Sequence, residues 1–162
     1  MGKVKSYNTF DTTTFKGGLF MITRNFSLAI KAVVVKDNQY LLLHKSVSEM
    51  EKTKINSHNP WDLPGGSIQF FEKNVDGLLR EVKEETGLNV KVIKPLYVYD
   101  AIRPHLHMTI ITYLCKYTSG ILSLSNEHDS YKWITHEELD SLDMPEWLKN
   151  YFYMAIEEYE NL

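Results

Sequence analysis

The sequence predicts an α/β protein built as one domain, and three observations carry this. A β-branched run, "SLAIKAVVV" (Ser27–Val35), is followed at once by a second strand-like run, "QYLLLHK" (Gln39–Lys45). The stretch "GGSIQFFEKNVDGLLREVKEETGLNV" contains apolar residues at helical spacing, and so does "DMPEWLKNYFYMAIEEY" near the C-terminus. The chain has 162 residues, 43% hydrophobic and 24% charged, which suits one soluble domain with a core of its own.

Taken in order, residues 1–24 are polar with scattered aromatics (Tyr7, Phe10, Phe15). They are expected to form an arm, an extra strand or a dimer contact beside a domain of residues 25–162. Lys36-Asp37-Asn38 lies between the first two strands as a tight-turn signal, so the pair is expected to be a hairpin. Residues 46–60, "SVSEMEKTKINSHNP", are polar and aperiodic, and are expected to be a loop long enough to serve function. Val75, Leu78, Leu79 and Val82 fall at i, i+3, i+4 and i+7 and predict the core-facing stripe of a helix that Gly87 ends. Strands are expected at about 90–100 and 106–117, then a turn at Ser119-Gly120 and a short strand at Ile121–Leu124. "SNEHDSYKWI" is a loop entering another strand. Thr135 and Glu138 have the spacing of a capping box. Asp143 is the expected N-cap of a last helix with the apolar face Trp147, Leu148, Tyr151, Phe152, Ala155, Ile156 and Tyr159. No repeat, low-complexity tract or linker divides the chain.

Net charge is −3, so no bulk basic field exists for nucleic acid or anionic lipid, and neither is expected as a partner. A small anion remains accessible through a metal and local cations. The single cysteine, Cys115, excludes an intrachain disulfide and sits in an apolar run as a small hydrophobe. No stretch has the length of a membrane span, and the N-terminus lacks the apolar core of a signal peptide; the expected location is cytoplasmic.

The chemistry concentrates in "GGSIQFFEKNVDGLLREVKEETGLNV" (Gly65–Val90). On a helix, Glu81, Glu84 and Glu85 fall in an arc of roughly 100°, largely away from the apolar stripe. Like charges at that spacing repel. A divalent cation reverses the sign, because hard cations such as Mg²⁺ take oxygen ligands and are shared between carboxylates and phosphates. The alternative is a solvated acidic helix face.

What surrounds the glutamates decides between the two. Gly66, Glu72, Arg80, Glu81, Val82, Glu84, Glu85, Gly87 and Leu88 fill every specified position of the pattern G-x5-E-x7-R-E-U-x-E-E-x-G-U, where U is a bulky apolar residue. This stretch resembles the Nudix box, and the preceding "LPGG" and the later "EH…W…EEL" are also similar to that family. The resemblance implies the Nudix fold, an α/β/α sandwich with a mixed β-sheet. It implies that Glu81, Glu84 and Glu85 bind one or more Mg²⁺ or Mn²⁺ ions, with the Gly66 carbonyl as a further ligand. Arg80 is implied to pair with Glu72 and orient the glutamates, Gly65 and Gly66 to let the loop pack tightly, and Gly87, Val82 and Leu88 to be structural. The implied reaction is hydrolysis of the diphosphate linkage of a nucleoside diphosphate joined to another group X. The general base is either a box glutamate such as Glu84 or Glu81, or Glu127 on the later loop.

Arg103, His105 and His107 are candidates for phosphate contacts, the two histidines alternating along a strand. Trp61 and Trp133 are large enough to stack on a base but suit core or rim packing equally. His44, His58 and His136 lack ligand spacing. A nucleoside triphosphate is the default substrate. An ADP-sugar, for which Pro104 lies near a subclass signature, or a dinucleoside polyphosphate is the alternative. A nucleotide-sensing, non-catalytic domain is the alternative of another class. The resemblance also allows a homodimer.

Overall fold

The computed structural model of the chain describes residues 7–15, 18–52 and 59–162. β1 (Tyr7–Phe15) pairs antiparallel with the first part of β2 (Gly18–Lys36), Tyr7 standing opposite Phe26. The threonines and aromatics of this stretch favour extended backbone, and strand β2 therefore starts nine residues before the Ser27 expected from its apolar run. From Asn25 onward β2 runs parallel to β6 (Leu106–Ser119), which pairs antiparallel with β5 (Asn89–Arg103).

On its other edge β2 meets β3 (Gln39–Lys45) through only two pairs, Val35–Tyr40 and Lys36–Gln39. Asp37 and Asn38 make the turn with φ of 49° and 59°, the left-handed pair that a two-residue hairpin requires. Beyond it the hairpin opens. β3 turns to β4 (Trp61–Asp62) and β7 (His128–Ile134). The gap on the β2 side is filled by residues 64–68. Ala32 N donates to Pro64 O at 2.8 Å, Ile30 N to Gly66 O at 2.8 Å, and Ile68 N to Leu28 O at 3.0 Å. Among the described residues the result is one seven-stranded mixed sheet, mostly antiparallel, with the order β4-β3-β2-β6-β5 and with β1 on β2 and β7 on β3.

Alternation along the strands builds two cores. Val33, Val35, Tyr40, Leu42 and Leu114 pack beneath α4 (Glu146–Glu160) with Leu148, Phe152, Ala155 and Ile156. Ile30, Ala32, Val34, Leu41, Leu43 and Cys115 pack beneath α2 (Asn74–Thr86) with Leu78 and Val82. Each of these large side chains contributes about 1.5–3 kcal/mol by leaving water. The predicted α/β/α sandwich with a mixed sheet is the fold observed. Burial pushes the Cys115 thiol up to about 12, as befits an inert core residue.

Five local expectations change. The 46–60 loop carries a helical turn, α1 (Val47–Lys52), started by Ser46, whose carbonyl accepts from Glu49 N and Met50 N; residues 53–58 lie outside the described residues. Leu78 and Val82 are buried as expected, but Val75 and Leu79 are 41% and 36% exposed, and α2 buries Gly77, Glu85 and Thr86 in their place. The helix is rolled because Gly77, lacking a Cβ, lets its N-terminal half settle on Ile68 and Glu72. Ile121–Leu124 is no strand, since Ser123 N and Ser125 N are spent on Thr86 O and Glu85 O, the open carbonyls at the end of α2. The N-cap of α4 is Pro145, and Asp143 O accepts Trp61 Nε1–H at 2.8 Å. His105 falls in the β5–β6 turn, so it does not share a strand face with His107. The capping box of Thr135 and Glu138 does open α3 (His136–Leu139). Among the described residues no helix is long and apolar enough to cross a membrane.

Candidate active site

The glycine loop and α2 meet where β2 and β3 part. Gly65 has φ of 137°, and a Cβ there would stand 2.1 Å from Ile30 O, so only glycine allows the loop to lie against β2. Its N–H donates to Glu85 Oε2 at 2.9 Å. Gly66 carries the next contact: a Cβ would stand 2.7 Å from the Glu81 carboxyl carbon, so the glycine leaves room for that carboxylate on the loop backbone. Gly66 O accepts from Ile30 N and keeps a second lone pair. At the far end of α2, Gly87 adopts φ of 71° and returns its N–H to Lys83 O.

Arg80 organises the carboxylates. Its Nε and Nη2 donate to Glu72 Oε1 and Oε2 at 2.8 and 2.9 Å, a two-pronged fork. Nη1 donates to Glu81 Oε1 at 2.7 Å and Glu84 Oε2 at 3.2 Å. The Arg80 bonds hold Glu72 below the usual carboxylate range, and the Glu72 and Glu81 bonds raise Arg80 further. Glu85 differs from its neighbours. It is 5% exposed and lies on the buried face of α2, although its spacing sets it away from the apolar stripe. Burial pushes it up to about 8; Lys31 and the Gly65 N–H pull down, while Asp62 and Glu127 add to the rise.

Glu127 sits in the turn before β7, tied to the end of β3 by Ser46 N donating to Glu127 O at 2.8 Å. Partial burial raises its pKa, the charges of Glu49 and Glu81 raise it further, and Lys31 and Lys52 oppose them. Glu127, Glu81 and Glu85 therefore share one electrostatic neighbourhood. Arg103, His105 and His107 do not join it: among the described residues no hydrogen bond or ion pair links them to the α2 carboxylates. They lie at the β5–β6 end of the sheet. There His107 faces Phe26, with ring centroids 5.3 Å apart, and stands 3.4 Å from Asp100. Four strand steps from Phe26 to Ile30 separate them from Gly66, about 13 Å along β2. Trp61 and Trp133 both pack against the cores. His44 pairs with Asp129 at 2.7 Å.

Lys31, Lys45, Asp62 and Gly77 contribute without having been marked by the sequence, and beside Glu127 stands His128, which its sequence position offers as a support of that loop. Lys31 and Asp62 form an ion pair at 2.9 Å under the loop, and Lys45 stands 3.7 Å from the same carboxylate. Burial opposes the charge on Lys31, but Asp62, Glu85 and Glu81 outweigh it and raise the ammonium; Lys31 and Lys45 likewise lower Asp62 against its own burial. Gly77 admits Glu72 to the helix. His128 is 5% exposed with neither ring nitrogen hydrogen-bonded. A lysine inside an apolar strand and a glycine inside a helical stripe were the available signals.

Among the described residues no three His, Cys, Asp or Glu side chains stand together in a metal-holding arrangement, since Arg80 engages Glu81 and Glu84 while Gly65 engages Glu85. The donor set itself fits a hard divalent cation: three carboxylates and a carbonyl, all oxygen, with repulsion that a cation relieves.

Over residues 26–154 the chain matches the sequence model of the NUDIX domain. It is 28% identical over 113 residues to a MutT-like protein of Streptomyces ambofaciens, a stretch covering 70% of this chain and 66% of that one. It is 28% identical over 97 residues to the nucleoside triphosphatase NudI of Enterobacter sp. (strain 638), covering 53% and 69%. The chain thus spans about two thirds of the length of these relatives. The crystal structure of the MutT protein from Methanosarcina mazei Go1 superposes with a TM-score of 0.68 at 25% identity, over 84% of this chain and 96% of that one. A match running from Phe26 on β2 to Met154 on α4 takes in strands β3 to β7, the glycine loop, all of α2 and the first part of α4, and the chain belongs to the NUDIX family.

Proposed function

We propose that the chain is a metal-dependent hydrolase of the diphosphate linkage in a nucleoside diphosphate joined to another group X, with nucleoside triphosphates as the preferred substrates. The observation that carries this is that Glu85 and Glu81 meet the Gly65-Gly66 loop while Arg80 joins Glu81 to Glu84 on the same helix. These three carboxylates and the Gly66 carbonyl would hold Mg²⁺ or Mn²⁺. When bound, the ion offsets phosphate charge and acidifies a water.

Arg80 keeps two carboxylates in register and turns its own charge inward, towards Glu72. Glu127 takes the water's proton, for which its environment raises its affinity. The water oxygen bonds to phosphorus as the bridging P–O bond breaks; a nucleoside triphosphate gives a monophosphate and pyrophosphate. Arg103, His105 and His107, about 13 Å along β2 from the loop, meet the distal part of the substrate. Similarity to NudI supports the triphosphate preference.

A substrate panel with Mg²⁺, followed by phosphate and pyrophosphate release, tests the proposal. It should span nucleoside triphosphates, ADP-ribose, dinucleoside polyphosphates and nucleotide sugars. The expected outcome is pyrophosphate from triphosphates, with kcat lowered at least about 100-fold in Glu85→Gln. Tight nucleotide binding without turnover of any compound would replace the enzyme with a sensor.

A further inference from the structure

We infer that Lys31, with Asp62 as its anchor, is a positioning residue that sets the glycine loop against the glutamate helix. Four consecutive loop carbonyls, from Leu63 to Gly66, accept hydrogen bonds from three consecutive residues of β2. Ala32 N and Ile30 N take Pro64 O and Gly66 O, both at 2.8 Å. The alternate carbonyls take the side chain between them: Lys31 Nζ donates to Leu63 O at 2.9 Å and to Gly65 O at 3.0 Å. Its third donor goes to Asp62 Oδ1 at 2.9 Å, and that same oxygen accepts Leu63 N at 2.8 Å. An ammonium has three donors, so Lys31 is saturated by the loop alone and has none left for a substrate.

What Lys31 fixes are the two peptide planes on either side of the one that carries the Gly65 N–H, whose own carbonyl, Pro64 O, is held by Ala32 N. The Gly65 carbonyl it holds belongs to the residue whose N–H holds Glu85, and the next residue, Gly66, backs the Glu81 carboxylate. Without the ammonium, two carbonyls at a partly buried position lose their donor and Asp62 loses its nearest cation. The Gly65 N–H then keeps its place under Glu85 only through the Ala32 N–Pro64 O bond of its own peptide plane, with the flanking planes no longer held by the ammonium. A displacement of about 1 Å at such a position costs on the order of 100-fold in rate.

The inference rests on the hydrolase assignment only for its kinetic arm, so the test pairs three measurements on the full chain: turnover of a nucleoside triphosphate, Mn²⁺ affinity by electron paramagnetic resonance, and amide hydrogen exchange of Gly65. Lys31→Met is expected to lower kcat at least tenfold with KM within about twofold, to weaken Mn²⁺ at least tenfold, and to speed Gly65 exchange at least tenfold, with the circular dichroism unchanged. Lys31→Arg keeps the charge but not the three-pronged geometry and should behave like Lys31→Met; wild-type behaviour would show that charge alone matters and overturn positioning. Should Lys31→Met fail to fold, Lys31→Met/Asp62→Leu removes both buried charges together. That variant must show the same losses, and wild-type Mn²⁺ affinity and exchange in it would overturn the inference. A wild-type chain with no turnover would refute the hydrolase assignment alone, leaving the exchange and Mn²⁺ arms to decide the role of Lys31.

Discussion

At the scale of single residues, the site works by placing the same side chain in different surroundings. Glu84 stands in solvent, Glu81 rests on a glycine and Glu85 is enclosed, although all three lie within five positions on one helix. His128 shows the opposite kind of enclosure. Burial pushes its pKa down to about 4 from 6.5, Lys31 and Lys45 adding to the fall and Asp62 and Asp129 opposing it. Because the folded pKa is the lower one, the neutral ring supports the fold above pH 6.5, and that support drains away as pH falls towards 4. The loss amounts to about 3 kcal/mol at its limit. Urea midpoints measured between pH 7 and pH 4 should therefore drop steeply for the wild-type chain and more gently for His128→Gln; parallel profiles would show that another group carries the acid sensitivity.

At the scale of elements, glycine decides where α2 and its loop come to rest. Gly65→Ala would set a Cβ 2.1 Å from a main-chain oxygen at a positive φ, and should cost about 3 kcal/mol or more. Gly77→Ala is the contrasting case. Its Cβ meets only the side-chain ends of Ile68 and Glu72, at 2.7 and 2.9 Å, and alanine favours helix by about 1 kcal/mol. The expected result is a melting temperature near wild type with reduced activity, because Glu72 must shift within the Arg80 fork. Thermal melts beside a turnover assay separate the two. The same glycine marks where sequence patterns stop being sufficient. The period of Val75, Leu78, Leu79 and Val82 located the helix, and Gly87 its end, but not its roll. Which face turns inward depends on what the loop presses against it, and that contact joins residues distant in sequence. Hence the spacing sets Glu85 away from the apolar stripe and Val75 on it, where the structure encloses the first and exposes the second. Lys31 was passed over because a charge within a strand signals nothing until its partners, more than thirty positions away, are known.

At the scale of the whole molecule, two cores on opposite faces of one sheet leave the strand ends free to carry the site, and the nearly continuous apolar run of "AIKAVVV" feeds both of them. Addition of Mg²⁺ should raise the melting temperature. The gain is about 2.7 kcal/mol at a hundredfold excess over the dissociation constant, and it should vanish in Glu81→Gln/Glu84→Gln. Identical melts with Mg²⁺ and with a chelator would contradict the metal assignment. The parting of β2 from β3 has a consequence for how the molecule assembles. The hairpin closes locally around Asp37-Asn38, whereas its mouth is sealed only when residues 61–68 return from beyond the intervening loop. The keystone of this arch is the glycine loop itself. Sheet continuity and catalytic geometry are therefore completed in a single step, and a chain caught with its keystone out is neither fully folded nor able to turn over.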